Sequence, residues 1–203
     1  MGNEYSLNRL FTKLVTIIIA IFTGIPENNA QPFNSYHIKT TSTSSKNSNA
    51  KVVTCEAQFP HKPEVVWRLL NRFSEFSSYI PRVSAVESLG VSNEKEKLFV
   101  MIDVPWPFSD IWNVLSITKE PIVNRLAWSM LEGNMKKNEG NLMVESKDQG
   151  SLVRMKVSVE LDLPNWLVVW GTKRFLPKVM TAIGKQLAQG EKPIHQKTEE
   201  IKK

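Results

Sequence analysis

Residues 163–187 read LPNWLVVWGTKRFLPKVMTAIGKQL. Trp166, Val169, Trp170, Leu176, Val179, Met180, Ile183 and Leu187 recur at helical spacing, while Lys173, Arg174, Lys178 and Lys185 lie largely off that face. The pattern predicts one long amphipathic helix whose apolar stripe must be buried on a partner. Pro177 removes a backbone donor in its middle, so a kink or a restart is expected there. The preceding residues supply the partner. Val153, Met155, Val157, Val159 and Leu161 alternate with Arg154, Lys156, Ser158, Glu160 and Asp162. A period of two with one polar face is the signature of an antiparallel strand that is covered on one side only.

Further upstream, Lys51 to Phe59 reads as a first strand. Pro63 then opens a helix, at a position where its missing N–H costs nothing. Val66, Leu69, Leu70 and Phe73 give that helix an apolar face, and Ser74 to Ile80 forms a second short helix stopped by Pro81. Strands are expected at about 82–89, 96–104, 111–119, 124–132, 139–147 and 151–161. Turn residues separate them: Gly90 to Asn93, Glu120-Pro121, Gly133-Asn134 and Asp148-Gln149-Gly150. Six closely spaced strands after two short helices predict a single antiparallel meander. The class is therefore α+β.

The 203 residues are 41% hydrophobic and 23% charged, which suits one globular domain with tails. Before it, Arg9 and Lys13 precede an uncharged apolar run from Leu14 to Ile25, followed by Asn28-Asn29-Ala30. That order predicts a secretory signal peptide over 1–30, since the run is shorter than the roughly 20 residues of a membrane span. An uncleaved N-terminal anchor is the alternative. The expected location is outside the cytoplasm, periplasmic or secreted. Nine of the eleven residues from Thr40 to Ala50 are Ser, Thr or Asn, so 31–50 is expected to be a disordered linker. The folded domain is then 51–188, and 189–203 is a charged flexible tail.

The net charge of +6 suits peripheral contact with an anionic membrane. Its cations are scattered, with no basic stripe interleaved with aromatics, which argues against nucleic acid. A monomer is expected. Cys55, the sole cysteine, excludes an internal disulfide and falls in an alternating strand, where an inert buried thiol is expected. His37 lies in the linker, His195 in the tail and His61 in a turn, so none is placed as a general base. No metal spacing, phosphate loop or nucleophile elbow is present, and no cofactor is expected. Asp103, which alternation puts on a face with Phe99 and Met101, is the best candidate acid, with a solvated strand-end position as its bland explanation. Glu132 and Glu145 also lie near strand ends. The tryptophans and methionines concentrate in the strands and the final helix, as either a packed core or a pliable ligand surface.

Several pieces, taken in order, resemble the START-like (SRPBCC) helix-grip superfamily, including its polyketide-cyclase and coenzyme-Q-binding-like members. They are Pro63-Glu64-Val65-Val66-Trp67, Tyr79-Ile80-Pro81, Pro105-Trp106-Pro107-Phe108-Ser109-Asp110, Met135-Lys136-Lys137-Asn138-Glu139-Gly140, Leu163-Pro164 and Leu176-Pro177. The resemblance implies a helix-grip fold: a curved antiparallel sheet of about seven strands wrapped around the long C-terminal helix, with two short helices after strand 1. It also implies binding, or transport, of a lipid or other apolar small molecule in an internal cavity. A cyclase- or dehydratase-type enzyme acting in the same cavity is the alternative, and an interaction module with a filled core is a third. The chain departs from the family in one motif. Where many relatives continue with Ser-Asp-Arg-Asp-aromatic, Ile111 takes the arginine position and Asn113 the aromatic one, which implies a more apolar pocket. With the fold implied, alternation and the helix face make the expected pocket liners Phe99, Met101, Ile111, Leu115, Leu126, Trp128, Met130, Met143, Met155, Val157, Trp170, Val179 and Met180. Trp106 and Phe108 are candidate gate residues.

Overall fold

The computed structural model describes residues 37–44, 51–104 and 109–190. The 1–30 segment, the tail beyond Gly190 and the gate loop with Trp106 and Phe108 lie outside the described residues.

Eight strands form one antiparallel sheet in the order β1-β2-β8-β7-β6-β5-β4-β3. They are β1 (Ile38–Ser44), β2 (Lys51–Phe59), β3 (Val83–Ser92), β4 (Lys95–Ile102), β5 (Ile111–Glu120), β6 (Arg125–Gly133), β7 (Lys137–Lys147) and β8 (Gly150–Glu160). Among the described residues three α-helices accompany the sheet: α1 (Pro63–Leu70), α2 (Phe76–Tyr79) and α3 (Asn165–Gly190). From β3 onward each strand pairs with the next, as a meander requires.

The expected linker is corrected at Ile38–Ser44. These residues pair in register with β2, from Ile38 opposite Ala57 to Ser44 opposite Lys51, and raise the strand number to eight. Backbone groups of the β2 edge are satisfied this way, and a short polar edge strand shields it from further pairing. The threonines that made the segment look like a linker are also β-branched and suit a pleated strand.

Tight turns set the meander's register. Asn93 (φ 51°) and Glu94 (φ 61°) form the two-residue β3–β4 turn with both central residues left-handed, the backbone that matches strand twist. Lys147 opposes Gly150 across the two-residue turn between β7 and β8, where Asp148 is left-handed (φ 52°). In the β5–β6 pair, Val114 opposes Glu132 and Leu115 opposes Met130, so Leu131 is an extra, bulged residue and is exposed.

α1 starts at Pro63, buries Val66, Leu69 and Leu70, and ends where the Asn71 side-chain amide donates to the Trp67 carbonyl at 2.7 Å. Phe73, Phe76 and Tyr79 then interlock edge to face, with ring centroids 5.5 and 5.8 Å apart. α3 packs on β1, β2 and β8 and also meets α1 and α2. Its buried Leu176, Val179, Met180, Ile183 and Leu187 contribute about 1.5–3 kcal/mol each. Buried Ala182 and Gly184 keep its contact surface low. The expected restart at Pro177 does not occur, since α3 is a single element from Asn165 to Gly190. The carbonyl that Pro177 leaves without a helical partner belongs to exposed Lys173, where water can serve.

Candidate functional site

Cross-strand partners point to the same side of a sheet, so the register sorts every strand residue onto one of two faces. The inner face, toward α3 and the short helices, has two parts. On β2 and β8 it is more fully covered: Val53, Cys55, Ala57, Phe59 and Val153 are almost wholly buried, while Met155 and Val159 keep partial exposure. On β4, β5 and β6 it is looser. Leu98 and Leu115 are buried, but Val100, Ile102, Ile111, Trp128 and Met130 keep partial exposure. The inner face is thus apolar throughout most of its length and less completely covered over β4–β6 than over β2.

Of the expected liners, Ile111, Leu115, Leu126, Trp128, Met130, Met155 and Val157 share this inner face by register. Val179 and Met180 are buried on α3. Trp170 is half-buried, and the Arg174 guanidinium lies 4.8 Å from its ring centre. Three expected liners are corrected. Phe99 and Met101 oppose Val114 and Trp112 on the outer face, and the Phe99 and Trp112 rings stack at 6.5 Å. Met143 opposes Arg125 and Arg154, also on the outer face. Leu98 to Ile102 and Leu142 to Val144 are unbroken apolar runs, so alternation gave no register, and a slip of one residue inverts a strand.

Trp128 has the most defined setting. It opposes Gly140 on β7, and its indole N–H donates to Asn138 Oδ1 at 3.2 Å. A Cβ at Gly140 would collide with the Lys156 carbonyl and the Trp128 ring, so the bare glycine is what admits the indole.

Polar groups within the fold are few. Asn113 is 1% exposed on the inner face, and neither its Oδ1 nor its Nδ2 has a partner. The Tyr79 hydroxyl and Ser151 Oγ are likewise buried and unpartnered. Burial pushes the Tyr79 phenol well above its ordinary range, with Glu75 adding to the rise and Arg72 opposing it. Burial also pushes the Cys55 thiol up, against the Thr40 hydroxyl that donates to its sulfur at 3.6 Å. The thiol thus stays protonated and poorly nucleophilic at neutral pH. His61, expected in a solvated turn, is buried. Asp103, the candidate acid, is exposed just beyond β4, its N–H donating to the Arg82 carbonyl at 2.8 Å. Glu132 is exposed, and Glu145 meets Arg154 at 3.4 Å, as does Glu56 at 2.6 Å. These ion pairs are part-exposed on the outer face and add at most about 1 kcal/mol. Among the described residues no cluster of His, Cys, Asp or Glu could hold a metal, and no helix is long and apolar enough to cross a membrane.

The surface of the described residues carries two shallow hollows. One, of about 310 Å³, is edged by Lys137, Glu139, Asn141 and Lys156 of the outer face and reaches Trp128 and Gly140. The other, of about 180 Å³, lies where Phe73 and Arg72 meet Leu98, Glu96 and Lys119. Both are polar-edged and open, unlike an enclosed apolar chamber.

Sequence reasoning missed Leu98, Val100 and Ile102, hidden in their apolar run. It noticed Asn113 only as a departure from the family motif.

No family model matches the chain, and no curated protein matches its sequence significantly. Solved structures do match. A STAR-related lipid transfer protein from Xanthomonas axonopodis superposes with a TM-score of 0.62 at 17% identity, covering 79% of this chain and 97% of that one. Human StAR-related lipid transfer protein 5 gives 0.60 at 10% identity, covering 91% and 98%. The Zhui aromatase/cyclase from Streptomyces sp. R1128 gives 0.59 at 12% identity, covering 75% and 95%. With the eight-stranded sheet, the early short helices and the long C-terminal helix, these similarities establish that the chain has the START-like (SRPBCC) helix-grip fold.

Proposed function

We propose that this protein binds a lipid or similarly apolar small molecule between the inner face of β4–β6 and the helices. The observation that carries the reading is the partial exposure of Val100, Ile102, Ile111, Trp128 and Met130 on an apolar inner face that is more fully covered over β2. Transfer of apolar ligand surface from water onto these side chains gains about 25 cal/mol per Å². The similarity to lipid transfer proteins favours this class of ligand. The cyclase or dehydratase alternative loses support here, because its best acid, Asp103, stands exposed beyond β4.

The protein acts as a monomer in this reading. The Arg9-to-Ala30 pattern argues for export, with a retained N-terminal segment as the route to a membrane tether. Its net positive charge favours the surface of an anionic bilayer.

The test is uptake of a fluorescent fatty acyl probe by the full chain and two variants. Met130→Trp fills the looser inner region and should weaken uptake at least about tenfold, the effect of losing about 1.4 kcal/mol. Phe99→Trp alters the outer face and should leave uptake unchanged. Equal uptake by both folded variants would refute the inner-face location.

A further inference from the structure

Asn113 is a burial that the fold does not explain. Its neighbours on the same face of β5 are Ile111 and Leu115, and its cross-strand partners are Val100 and Gly133. The side chain is 1% exposed, yet neither amide atom bonds to the protein. An unpaired buried amide is destabilising, and an apolar residue of similar volume would remove the cost. Gly133 helps hold the amide where it is. A Cβ there would lie 3.1 Å from Asn113 Oδ1 and 2.6 Å from the Trp112 carbonyl oxygen, so the strand can carry no side chain beside it.

We propose that Asn113 is the polar anchor of the apolar-ligand site and receives the one hydrogen-bonding group of an otherwise apolar ligand. This rests on the binding reading above and names its ligand class. The amide offers one acceptor and two N–H donors, so it suits a head group that both donates and accepts: a hydroxyl, a protonated carboxyl or a carboxamide. The head group is neutral, because the inner-face residues around Asn113 are aliphatic or glycine and supply no counter-charge. A buried ion without a partner would be strongly disfavoured. The nearby carboxylates Asp103, Asp110 and Glu132 are all exposed.

The experiment is calorimetric titration of the full chain with 1-dodecanol, dodecanamide and 1-bromododecane, which share a chain length and differ in the terminal group. Wild type should bind the alcohol and the amide about tenfold more tightly than the bromide. Asn113→Leu should erase that preference by weakening the first two while leaving the bromide as tight or tighter. Asn113→Ala, checked for folding by circular dichroism, should erase it equally. A preference that survives in both folded variants overturns the anchor and leaves the binding reading intact. Absence of a head-group preference in wild type overturns it too. Failure of wild type to bind any of the three overturns the binding reading and the anchor with it.

Discussion

Replacing Gly140 with alanine adds one methyl group and should cost about 2–3 kcal/mol of stability. The new Cβ would meet the Trp128 ring, with indole Cε2 at 2.8 Å, and would collide with the Lys156 carbonyl. Lys156 opposes Asn141 in the β7–β8 pair, so its carbonyl cannot retreat without disturbing that pairing. The indole can move, but its 3.2 Å hydrogen bond to Asn138 would go with it. Overpacking of this kind costs about 1–3 kcal/mol, and the lost bond adds roughly 1. Against this, alanine reduces the freedom of the unfolded chain by about 0.4–1 kcal/mol. Urea unfolding of wild type and variant measures the balance. With a slope of about 2 kcal/mol/M, the midpoint should fall by roughly 1–1.5 M at unchanged slope. A midpoint that is unchanged or raised would refute the close approach of indole to strand and, with it, the placement of Trp128 on the inner face.

Gly171→Ala on α3 should behave oppositely, because an added Cβ there meets nothing within 4 Å; the urea midpoint should rise, by up to about 1 kcal/mol in stability. Met180→Ala removes a side chain that is 0% exposed and should cost about 2–5 kcal/mol in the same assay. Alkaline pH should destabilise the fold through Cys55 and Tyr79, whose folded pKa values are both raised by burial. Their contribution is present in full below the ordinary thiol value of 9.0 and is lost as pH climbs from there through the raised folded values. The urea midpoint should therefore hold up to the ordinary thiol value of 9.0, fall as pH climbs beyond it, and fall more steeply above the ordinary phenol value of 10.0, and Cys55→Ala should shallow the first part of the drop.

Where one periodicity dominates, the sequence is a good guide to this fold. The alternation from Val153 to Leu161 marks β8, and the stripe from Leu176 to Leu187 marks the half of α3 that seals the sheet. Turn residues placed the meander strands within a few residues of their observed ends. Legibility fails where periodicity is silent. Leu98 to Ile102 is apolar at every position, so only the ladder with β5 reveals that Leu98 and Val100 face inward while Phe99 and Met101 do not. Ile38–Ser44 carries almost no apolar signal, since an edge strand draws much of its stability from hydrogen bonds to the strand beside it. Pro177 looked like a break because propensity disfavours proline within a helix, yet the buried residues on either side hold α3 together. Asn113 is a polar residue amid an apolar face, and its burial depends on contacts that no local pattern encodes.

The central claim is that the inner face of β4–β6 holds an apolar molecule. Its most direct test is mass spectrometry of the organic extract from the purified full chain, before and after incubation with a lipid mixture. The account predicts one apolar, neutral-headed molecule in stoichiometric amount, present from the start or acquired on incubation. An extract that stays empty after lipid has been offered would contradict it.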